Sequence, residues 1–207
     1  MGTTERRARQ RDDLRLKILG AATELFLQNG FESVSMRKIA EKIEYAPSTI
    51  YLYFEDKDAI CAAIGAEAFE VLLQGLDERE KRNLPPLESA RVGLRYYVEF
   101  GMEHPNQYRL VFATPTPEGA ETPEVNALGM QALEYLARCL ARCRAEGLFI
   151  PGDDMADSLA CWGQLHGLTL ILINDHGKYG FPWPSKEAMI DRGIDLILRG
   201  LLVTPAP

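Results

Sequence analysis

Residues 35–57 of the chain have the sequence SMRKIAEKIEYAPSTIYLYFEDK. The apolar residues in the first half of this stretch recur with the period of a helix, and Ser35 is a favourable N-cap for that helix. Pro47 fits the first turn of a second helix, where its missing N–H leaves no hydrogen bond unmade. The stretch therefore predicts two short helices, separated by a tight break at residues 44–46.

The second predicted helix has one apolar side, formed by Ile50 and Phe54. Hydroxyl groups donate to phosphate oxygens, and short side chains let a helix enter the major groove of DNA. Arg37, near the start of the first helix, has a guanidinium group that can bind a guanine edge through two hydrogen bonds. This pattern favours a helix-turn-helix that binds DNA. The hydroxyl-bearing side chains that lie largely off the apolar side are Ser48, Thr49, Tyr51 and Tyr53.

The residues alone leave a second interpretation open, in which the two tyrosines are ordinary surface or core residues and Ser48-Thr49 only caps a helix. A resemblance favours DNA binding, because the stretch from Phe31 to Ile60 resembles the DNA-binding domain of TetR-family transcriptional regulators. With the preceding helix, the likeness spans about 50 residues. The matching positions are Leu25-Phe26, Gly30-Phe31, Ser35, Ile39-Ala40, Thr49-Ile50-Tyr51, Tyr53-Phe54 and Lys57.

The resemblance implies a role for each matching site residue. Ser35 and Arg37 correspond to positions that contact phosphate and base at the start of the first motif helix. The exposed start of the helix that enters the groove corresponds to Ala46, Pro47, Ser48 and Thr49. The remaining phosphate-contacting positions correspond to Tyr51, Tyr53 and Lys57.

Two residues of the turn depart from the family pattern. The family usually has Gly where this chain has Glu44, and a positive φ at Glu44 would cost about 1 kcal/mol or more. It usually has Ser or Thr as the N-cap where this chain has Ala46, and a missing cap costs a similar amount. We expect the turn geometry and the base-contacting positions to differ most from the family here.

Strand patterns are almost absent from the chain, so we expect an all-α fold of about nine helices. A long helix should begin after the N-cap Asp56 and continue to about Arg82. We place the domain boundary inside that helix, with a helix-turn-helix domain over 1–65 and a helical ligand-binding and dimerisation domain over 66–207. The other predicted helices are Leu14–Asn29, Pro86–Glu103, Pro105–Phe112, Glu124–Glu146, Asp153–Asp175 and a last helix from Ser185 to about Leu202.

Charge is distributed unevenly along the chain. The formal net charge is −7, yet residues 1–60 are neutral, so the whole excess of acid lies in the later part. Residues 5–17 alone carry six basic and three acidic side chains. This basic N-terminal segment is either a flexible arm that contacts DNA phosphates or, over residues 1–10, a disordered, solvated tail. The acidic remainder should not contact DNA.

Composition limits the location of the protein. No apolar run near 18 residues is free of charge, so we expect no transmembrane helix and no membrane partner. The N-terminus lacks the apolar core of a signal peptide. The four cysteines lack the spacing of a disulfide scaffold, which predicts reduced thiols and a cytoplasmic protein.

Two of the later predicted helices contain pairs of glycines. Gly163 and Gly167 share a face of one helix, and Gly193 and Gly200 share a face of the last helix. Because glycine weakens a helix, we infer close helix–helix packing, either within the chain or across a two-fold axis. The segment 161–172, CWGQLHGLTLIL, resembles the WHG type of C-terminal domain found in some TetR-family regulators. The resemblance implies a homodimer formed by the last two long helices.

The later helices also carry aromatic residues at helical spacing, which is typical either of core packing or of an apolar pocket. The family resemblance implies a small-molecule effector bound among these helices. Trp162 and His166 would give such a pocket an aromatic wall with one polar group. The candidate ligand-binding residues are Phe69, Tyr96, Phe100, Tyr108, Phe112, Met130, Tyr135, Trp162 and His166.

Patterns for catalysis or for cofactor binding are weak. Cys161 and His166 are five residues apart on a helix and point about 140° from each other, so they cannot form a nucleophile–base pair. Cys139 and Cys143 share a face but offer only two ligands to a metal. We predict no cofactor. The favoured function is a ligand-responsive dimeric regulator, a repressor released from a palindromic double-stranded operator by a mostly apolar effector. The alternatives are a constitutive DNA-binding dimer and, less favoured, an all-helical enzyme.

Overall fold

A computed structural model describes residues 3–203 of the protein, and within this range the chain forms nine α-helices and two short 3-10 helices. The prediction of an all-α fold is confirmed. The α-helices are α1 (Thr3–Asn29), α2 (Met36–Lys42), α3 (Pro47–Tyr51), α4 (Lys57–Glu80), α5 (Pro86–Glu103), α6 (Pro105–Phe112), α7 (Pro123–Ala145), α8 (Asp154–Asn174) and α9 (Lys186–Leu201). The 3-10 helices are Phe31–Ser33 and Glu118–Ala120.

The described residues group into two compact units. The first unit contains residues up to Ala68 together with Asn106–Asn126, and the second contains Phe69–Pro105 and the residues from Ala127 onward. The division therefore falls inside α4. The functional domains predicted over 1–65 and 66–207 stay a prediction.

The core of the first unit is formed by one side of α1, by α2 and α3, and by the start of α4. Its fully buried members include Ile18, Ile39, Ile50 and Ile60. Because these isoleucines come from four different helices, burying them together fixes the two short helices, which would be marginal alone. Packing thus holds the helix-turn-helix in place.

Helix α1 is longer than its apolar pattern predicts. We expected it to begin at Leu14, but the structure has it begin at Thr3. Residues 5–13 are exposed, so no apolar stripe marks them, while Glu, Arg, Ala and Gln among them are strong helix formers. The predictions of a flexible arm or a disordered tail are therefore wrong for residues 3–13, and residues 1–2 lie outside the described range.

Side chains cap several helices as the sequence predicts. The Ser35 hydroxyl accepts a hydrogen bond from the Lys38 N–H at 3.3 Å, and Ser185 accepts one from Ala188 at 3.1 Å. The Asp56 carboxylate accepts one from the Ala59 N–H at 2.7 Å. These three N-caps are confirmed.

In the second unit, α5 lies against α8 and α9. Phe100 on α5, Leu165 on α8 and Ile194 on α9 are almost fully buried. At the surface, Arg91 donates to the Asp195 carboxylate at 2.6 Å, and Arg95 forms an ion pair with Asp191. Apolar burial and these ion pairs together fix α9 against α5.

Helix α4 is long and apolar enough to cross a membrane by length and composition alone. That composition is shared with core helices, and 33% of the apolar window of α4 is buried here. Ile60 and Ile64 are buried in the first unit, and Leu72 and Leu76 are buried in the second. The helix also carries three acidic residues between positions 58 and 70, as expected for a helix partly in contact with water.

Candidate nucleic-acid interface

Helix α3 presents a polar surface because its apolar side chains are used in the core. Ile50 is completely buried and Phe54 nearly so. The residues at the start of α3 are exposed, and Tyr51 is also exposed while Thr49 is half-buried. Short polar residues on the outer side of a well-anchored helix suit entry into a DNA groove. The exposed residues at the start of α3 are Ala46, Pro47 and Ser48.

The turn between α2 and α3 contains a backbone conformation that favours glycine. Glu44 has a φ of 62°, the left-handed region suspected from the sequence. The Tyr45 N–H donates to the Ala40 carbonyl at 3.0 Å, and the Glu44 N–H donates to the Glu41 carbonyl at 3.2 Å. This hydrogen-bond pair is the Schellman ending of a helix, in which this position is most often Gly.

The start of α3 lacks a side-chain cap. Ala46 occupies the N-cap with extended dihedrals, φ −69° and ψ 143°, and makes no side-chain hydrogen bond to the helix. Its carbonyl still accepts the Thr49 N–H at 2.9 Å. The backbone is therefore arranged as for a capped helix, and only the side-chain acceptor is missing.

Arg37 lies at the surface of α2, where its side chain is 79% exposed. Its Nε donates to the Glu41 carboxylate at 2.9 Å, an (i, i+4) ion pair along the helix. An exposed pair of this kind is weak, at about 0.3–0.5 kcal/mol, so it can be exchanged for a contact with a base. The two terminal nitrogens are the ones that a bidentate contact with guanine would use.

Lys57 is held by neighbouring residues of the first unit. Its Nζ donates to the Phe31 carbonyl at 3.1 Å, lies 4.2 Å from the centre of the Phe31 ring and lies 3.6 Å from the Glu32 carboxylate. These contacts fix the short segment that precedes α2. A phosphate contact by Lys57 stays a prediction.

Two residues beside α3 were not among the predicted site residues. Tyr45 precedes α3 and is exposed, and Leu52 follows α3 with 76% of its surface exposed. A large apolar side chain that the fold leaves so open often marks a contact surface. Both residues could have been predicted from the sequence, because they flank a helix whose apolar side was already assigned to Ile50 and Phe54.

The candidate ligand-binding residues do not all belong to one unit. Tyr108 and Phe112 lie on α6 in the first unit, with ring centres 4.9 Å apart, and the other seven lie in the second. Met130 is 49% exposed, whereas Phe100 is fully buried. The seven are Phe69, Tyr96, Phe100, Met130, Tyr135, Trp162 and His166.

Two groups of the second unit have features expected beside a bound molecule. Burial raises the pKa of Tyr135, whose hydroxyl interacts with the thiol of Cys139 and makes no other side-chain hydrogen bond within the described residues. On α8, Trp162 stacks on His166 with ring centres 5.5 Å apart, and its Nε1 donates to the Tyr97 hydroxyl at 2.9 Å. Burial lowers the pKa of His166, which keeps this imidazole neutral at pH 7.

The four glycines predicted at a helix interface have different surroundings. A Cβ built on Gly193 would lie 2.6 Å from the Leu168 side chain, so this glycine permits close contact of α9 with α8 within the chain. A Cβ built on Gly163, Gly167 or Gly200 would meet no atom within 4 Å. Packing within the chain thus explains Gly193 only.

The cysteines are buried thiols. Burial raises the pKa of Cys61, Cys143 and Cys161 to about 11, and it also raises that of Cys139. The thiolate, which is the nucleophilic and metal-binding form, is therefore scarce at neutral pH. Within residues 3–203, no group of three or more His, Cys, Asp or Glu side chains is arranged to hold a metal ion.

The anchored α2–α3 element, with its exposed polar helix, defines a DNA-binding protein of the helix-turn-helix class. Residues 18–64 match the family model described as bacterial regulatory proteins, tetR family. Residues 90–197, more than half of the chain, match the tetracycline repressor-like C-terminal domain. The chain belongs to the TetR family of transcriptional regulators. The finer WHG resemblance of residues 161–172 stays a prediction.

Individual proteins agree with this assignment. The HTH-type transcriptional regulator UidR of Escherichia coli K12 is 28% identical over 195 residues, which cover 91% of this chain and 92% of UidR. A tetR-family regulatory protein from Rhodococcus RHA1 has a TM-score of 0.76 at 18% identity, covering 92% of this chain and 97% of that chain. The fatty acid degradation regulator FadR from Bacillus halodurans has a TM-score of 0.73 at 17% identity, covering 89% and 94%. At these identities the two structures support the fold alone.

Proposed function

We propose that this regulator is a dimeric repressor that binds a palindromic operator and leaves it when a small, mostly apolar effector binds. The observation that carries the DNA part is the orientation of α3. Its buried Ile50 fixes the helix, while Ala46, Pro47, Ser48 and Tyr51 remain available to DNA. In this proposal Ser35, Tyr51, Tyr53 and Lys57 contact phosphates, and Arg37 contacts a base.

Dimerisation through α8 and α9 is supported by apolar residues and glycines that lie exposed on these helices in a single chain. Leu159, Trp162 and Ile171 on α8 and Leu196 on α9 are exposed apolar residues. Gly163, Gly167 and Gly200 have open space where a side chain would stand. A second copy can approach closely at glycines and cover the apolar residues, and two helix-turn-helix units about one DNA turn apart bind a palindrome.

Effector binding is supported by the buried hydroxyl of Tyr135, whose partner is the thiol of Cys139. A thiol is a weak hydrogen-bond partner, so an acceptor on a bound molecule would form a stronger bond with this hydroxyl. His166, which stacks on Trp162 and whose pKa is lowered by burial, is a second polar group in this unit. The effector must bind the DNA-free state more tightly than the DNA-bound state, and a shift of α4 would carry the change. We place the regulator in the cytoplasm, where buried thiols stay reduced.

Gel-shift titration with the DNA upstream of its own gene tests the proposal. Arg37→Ala should weaken operator binding by about 1–3 kcal/mol and leave binding to random duplex nearly unchanged. Tyr51→Phe, which removes one hydroxyl, should instead weaken binding to both duplexes equally. Equal losses for Arg37→Ala on both duplexes would show that Arg37 does not contact a base.

Two further experiments separate the proposal from the constitutive dimer. Fractions of an organic extract of the cells that contain this regulator are added to the protein–operator complex, and release of the operator by one fraction supports effector control. Tyr135→Phe should bind the operator normally but need more of that fraction for release. If no fraction releases the wild-type protein, the constitutive dimer is the better description. Transcription from an operator-linked reporter should fall when the protein is expressed, and a rise would indicate an activator.

A further inference from the structure

A groove of about 720 Å³ lies beside the helix-turn-helix, lined by the N-terminal half of α1 and by residues on either side of α3. Helix α1 contributes three basic side chains. The residues from the α3 side are aromatic or aliphatic and lie immediately next to the proposed DNA-contacting helix. The residues that matter here are Arg7, Arg11 and Lys17 from α1, with Tyr45, Leu52 and Tyr53.

The basic residues line the groove because of their spacing in α1. Arg7 and Arg11 are four residues apart and point within about 40° of each other, while Lys17 points about 80° to the other side of Arg7, so the three span an arc of about 120° that borders the groove. At 1.5 Å per residue, they extend over about 15 Å of the helix axis. Arg9 is two residues from both arginines and points about 160° away from each, and it is not part of the groove lining.

Contacts within the first unit fix this side of α1. The Arg11 guanidinium lies 6.0 Å from the centre of the Tyr53 ring, within the range of a cation–π interaction. Arg15 lies 5.5 Å from the Phe54 ring and forms an ion pair with Glu67 on α4. Ile18 on the same helix is fully buried. The N-terminal half of α1 is therefore a rigid continuation of an anchored helix.

The chemistry of the groove matches a nucleic-acid backbone. The lining has three cations against one carboxylate, Asp13, so it attracts anions. The Tyr45 and Tyr53 hydroxyls can donate to phosphate oxygens, and the exposed Leu52 can contact a deoxyribose. Such charged walls do not suit a mostly apolar effector.

We propose that this groove binds the phosphodiester backbone of the operator, beside the base pairs that α3 contacts, with Arg7, Arg11 and Lys17 as phosphate ligands. The proposal rests on the proposed function, because it assigns further contacts to the same DNA complex. Since phosphates are common to all sequences, these contacts add affinity without adding selectivity. They also supply local positive charge in a protein whose formal net charge is −7.

The test compares Arg7→Gln, Arg11→Gln and Lys17→Gln with Arg9→Gln, which removes the same charge from another side of α1. Gln keeps helix propensity, and far-UV circular dichroism confirms equal helix content. For each variant, the association constant is measured against salt concentration for operator and for random duplex. Each groove substitution should make the log–log slope shallower by about 0.9 per chain, and it should weaken binding about five- to tenfold per chain at 0.1 M salt, equally on both duplexes. Arg9→Gln should keep the wild-type slope.

The outcomes separate the two proposals. If wild-type protein binds no operator, the proposed function fails and the groove proposal fails with it. If wild-type binds but the groove variants and Arg9→Gln give the same slope, only the groove proposal fails. If the groove holds free phosphate rather than DNA, the groove variants keep the slope of Arg9→Gln in chloride, and added phosphate stabilises the wild-type protein but not the groove variants.

Discussion

Two connections between helices in this chain share a backbone geometry but differ in the residues that build it. Glu44, two residues after α2, has a φ of 62°, and Gly147, two residues after α7, has a φ of 71°. In both connections the following residue donates its N–H to the carbonyl oxygen five residues back, at 3.0 Å. The Schellman ending therefore forms with its preferred glycine after α7 and without it after α2.

The N-caps of the helices that follow, α3 and α8, also differ in whether the preferred residue is present. Ala46 gives α3 no side-chain cap, whereas the Asp153 carboxylate accepts the N–H groups of Met155 and Ala156 at 2.9 and 2.8 Å at the start of α8. Local preferences are thus satisfied at the α7–α8 connection and violated at the proposed DNA-contacting turn. Such violations concentrate at functional sites, where the surface serves a partner as well as the fold. The α2–α3 turn therefore depends on packing against the core, whereas the α7–α8 connection is stabilised by its glycine and its N-cap as well as by packing.

The largest expected effect is that of Arg144, which holds the α7–α8 connection. Its side chain is only 13% exposed, forms ion pairs with Asp154 and Asp157, and donates to the Ile150 carbonyl at 2.8 Å. Arg144→Ala leaves two half-buried carboxylates unpaired, so we expect a loss of about 2 kcal/mol in the free energy of unfolding, between the values for exposed and buried pairs. Urea titration measures it.

Tryptophan fluorescence is the appropriate signal for Arg144→Ala, because Trp162 and Trp183 are the only tryptophans and both lie in the second unit. Arg138→Ala is the matched control on α7. Its ion pair with Glu80 is 3.9 Å long and half-exposed, so the loss should stay below about 1 kcal/mol. Equal losses for the two variants would mean that the α7–α8 connection also depends on packing rather than on local contacts.

How much the sequence could predict differs between these regions for physical reasons. The helix starts at Asp56, Asp153 and Ser185 were predictable, because a cap is a local interaction between neighbouring residues. Only the family pattern, which has Gly at this position, identified Glu44 as a left-handed position. The first three turns of α1 were not predicted, since apolar periodicity is invisible in an exposed helix.

In the candidate site, too, only features that depend on neighbouring residues could be predicted from the sequence. The anchoring of α3 by Ile50 followed from its helical spacing. The groove did not, because it joins residues near position 10 to residues near position 50, and sequence spacing carries no information about that meeting. The ion pairs of Arg144 across the α7–α8 connection were missed for the same reason.

Substitutions at the two N-caps should have intermediate effects on the free energy of unfolding. Ala46→Ser adds the missing acceptor to a backbone already in capping geometry, so we expect a gain of about 1 kcal/mol for the first unit. Asp153→Ala removes two accepted hydrogen bonds and should cost about 1–2 kcal/mol in the second unit. Far-UV circular dichroism follows both, while tryptophan fluorescence should respond to Asp153→Ala alone. A stability loss for Ala46→Ser would show that the α2–α3 turn has no room for a cap and would remove this half of the comparison.

The smallest expected effect comes from exchanging the residues at the two helix ends. Glu44→Gly relieves a left-handed conformation that costs an L-residue about 1–2 kcal/mol, but the added backbone freedom of the unfolded chain offsets about half of it. We expect a net gain of about 0.5–1 kcal/mol by urea titration, and an equal loss for Gly147→Glu at the corresponding position of α7. Glu44→Gly also removes a negative charge from the proposed DNA side. Its operator affinity should therefore exceed that of wild type at low salt and equal it at high salt. Higher stability with unchanged operator affinity would mean that Glu44 lies away from the phosphates. Unchanged stability would mean that packing around Glu44 already compensates for its conformation, and the two connections would then differ in sequence only.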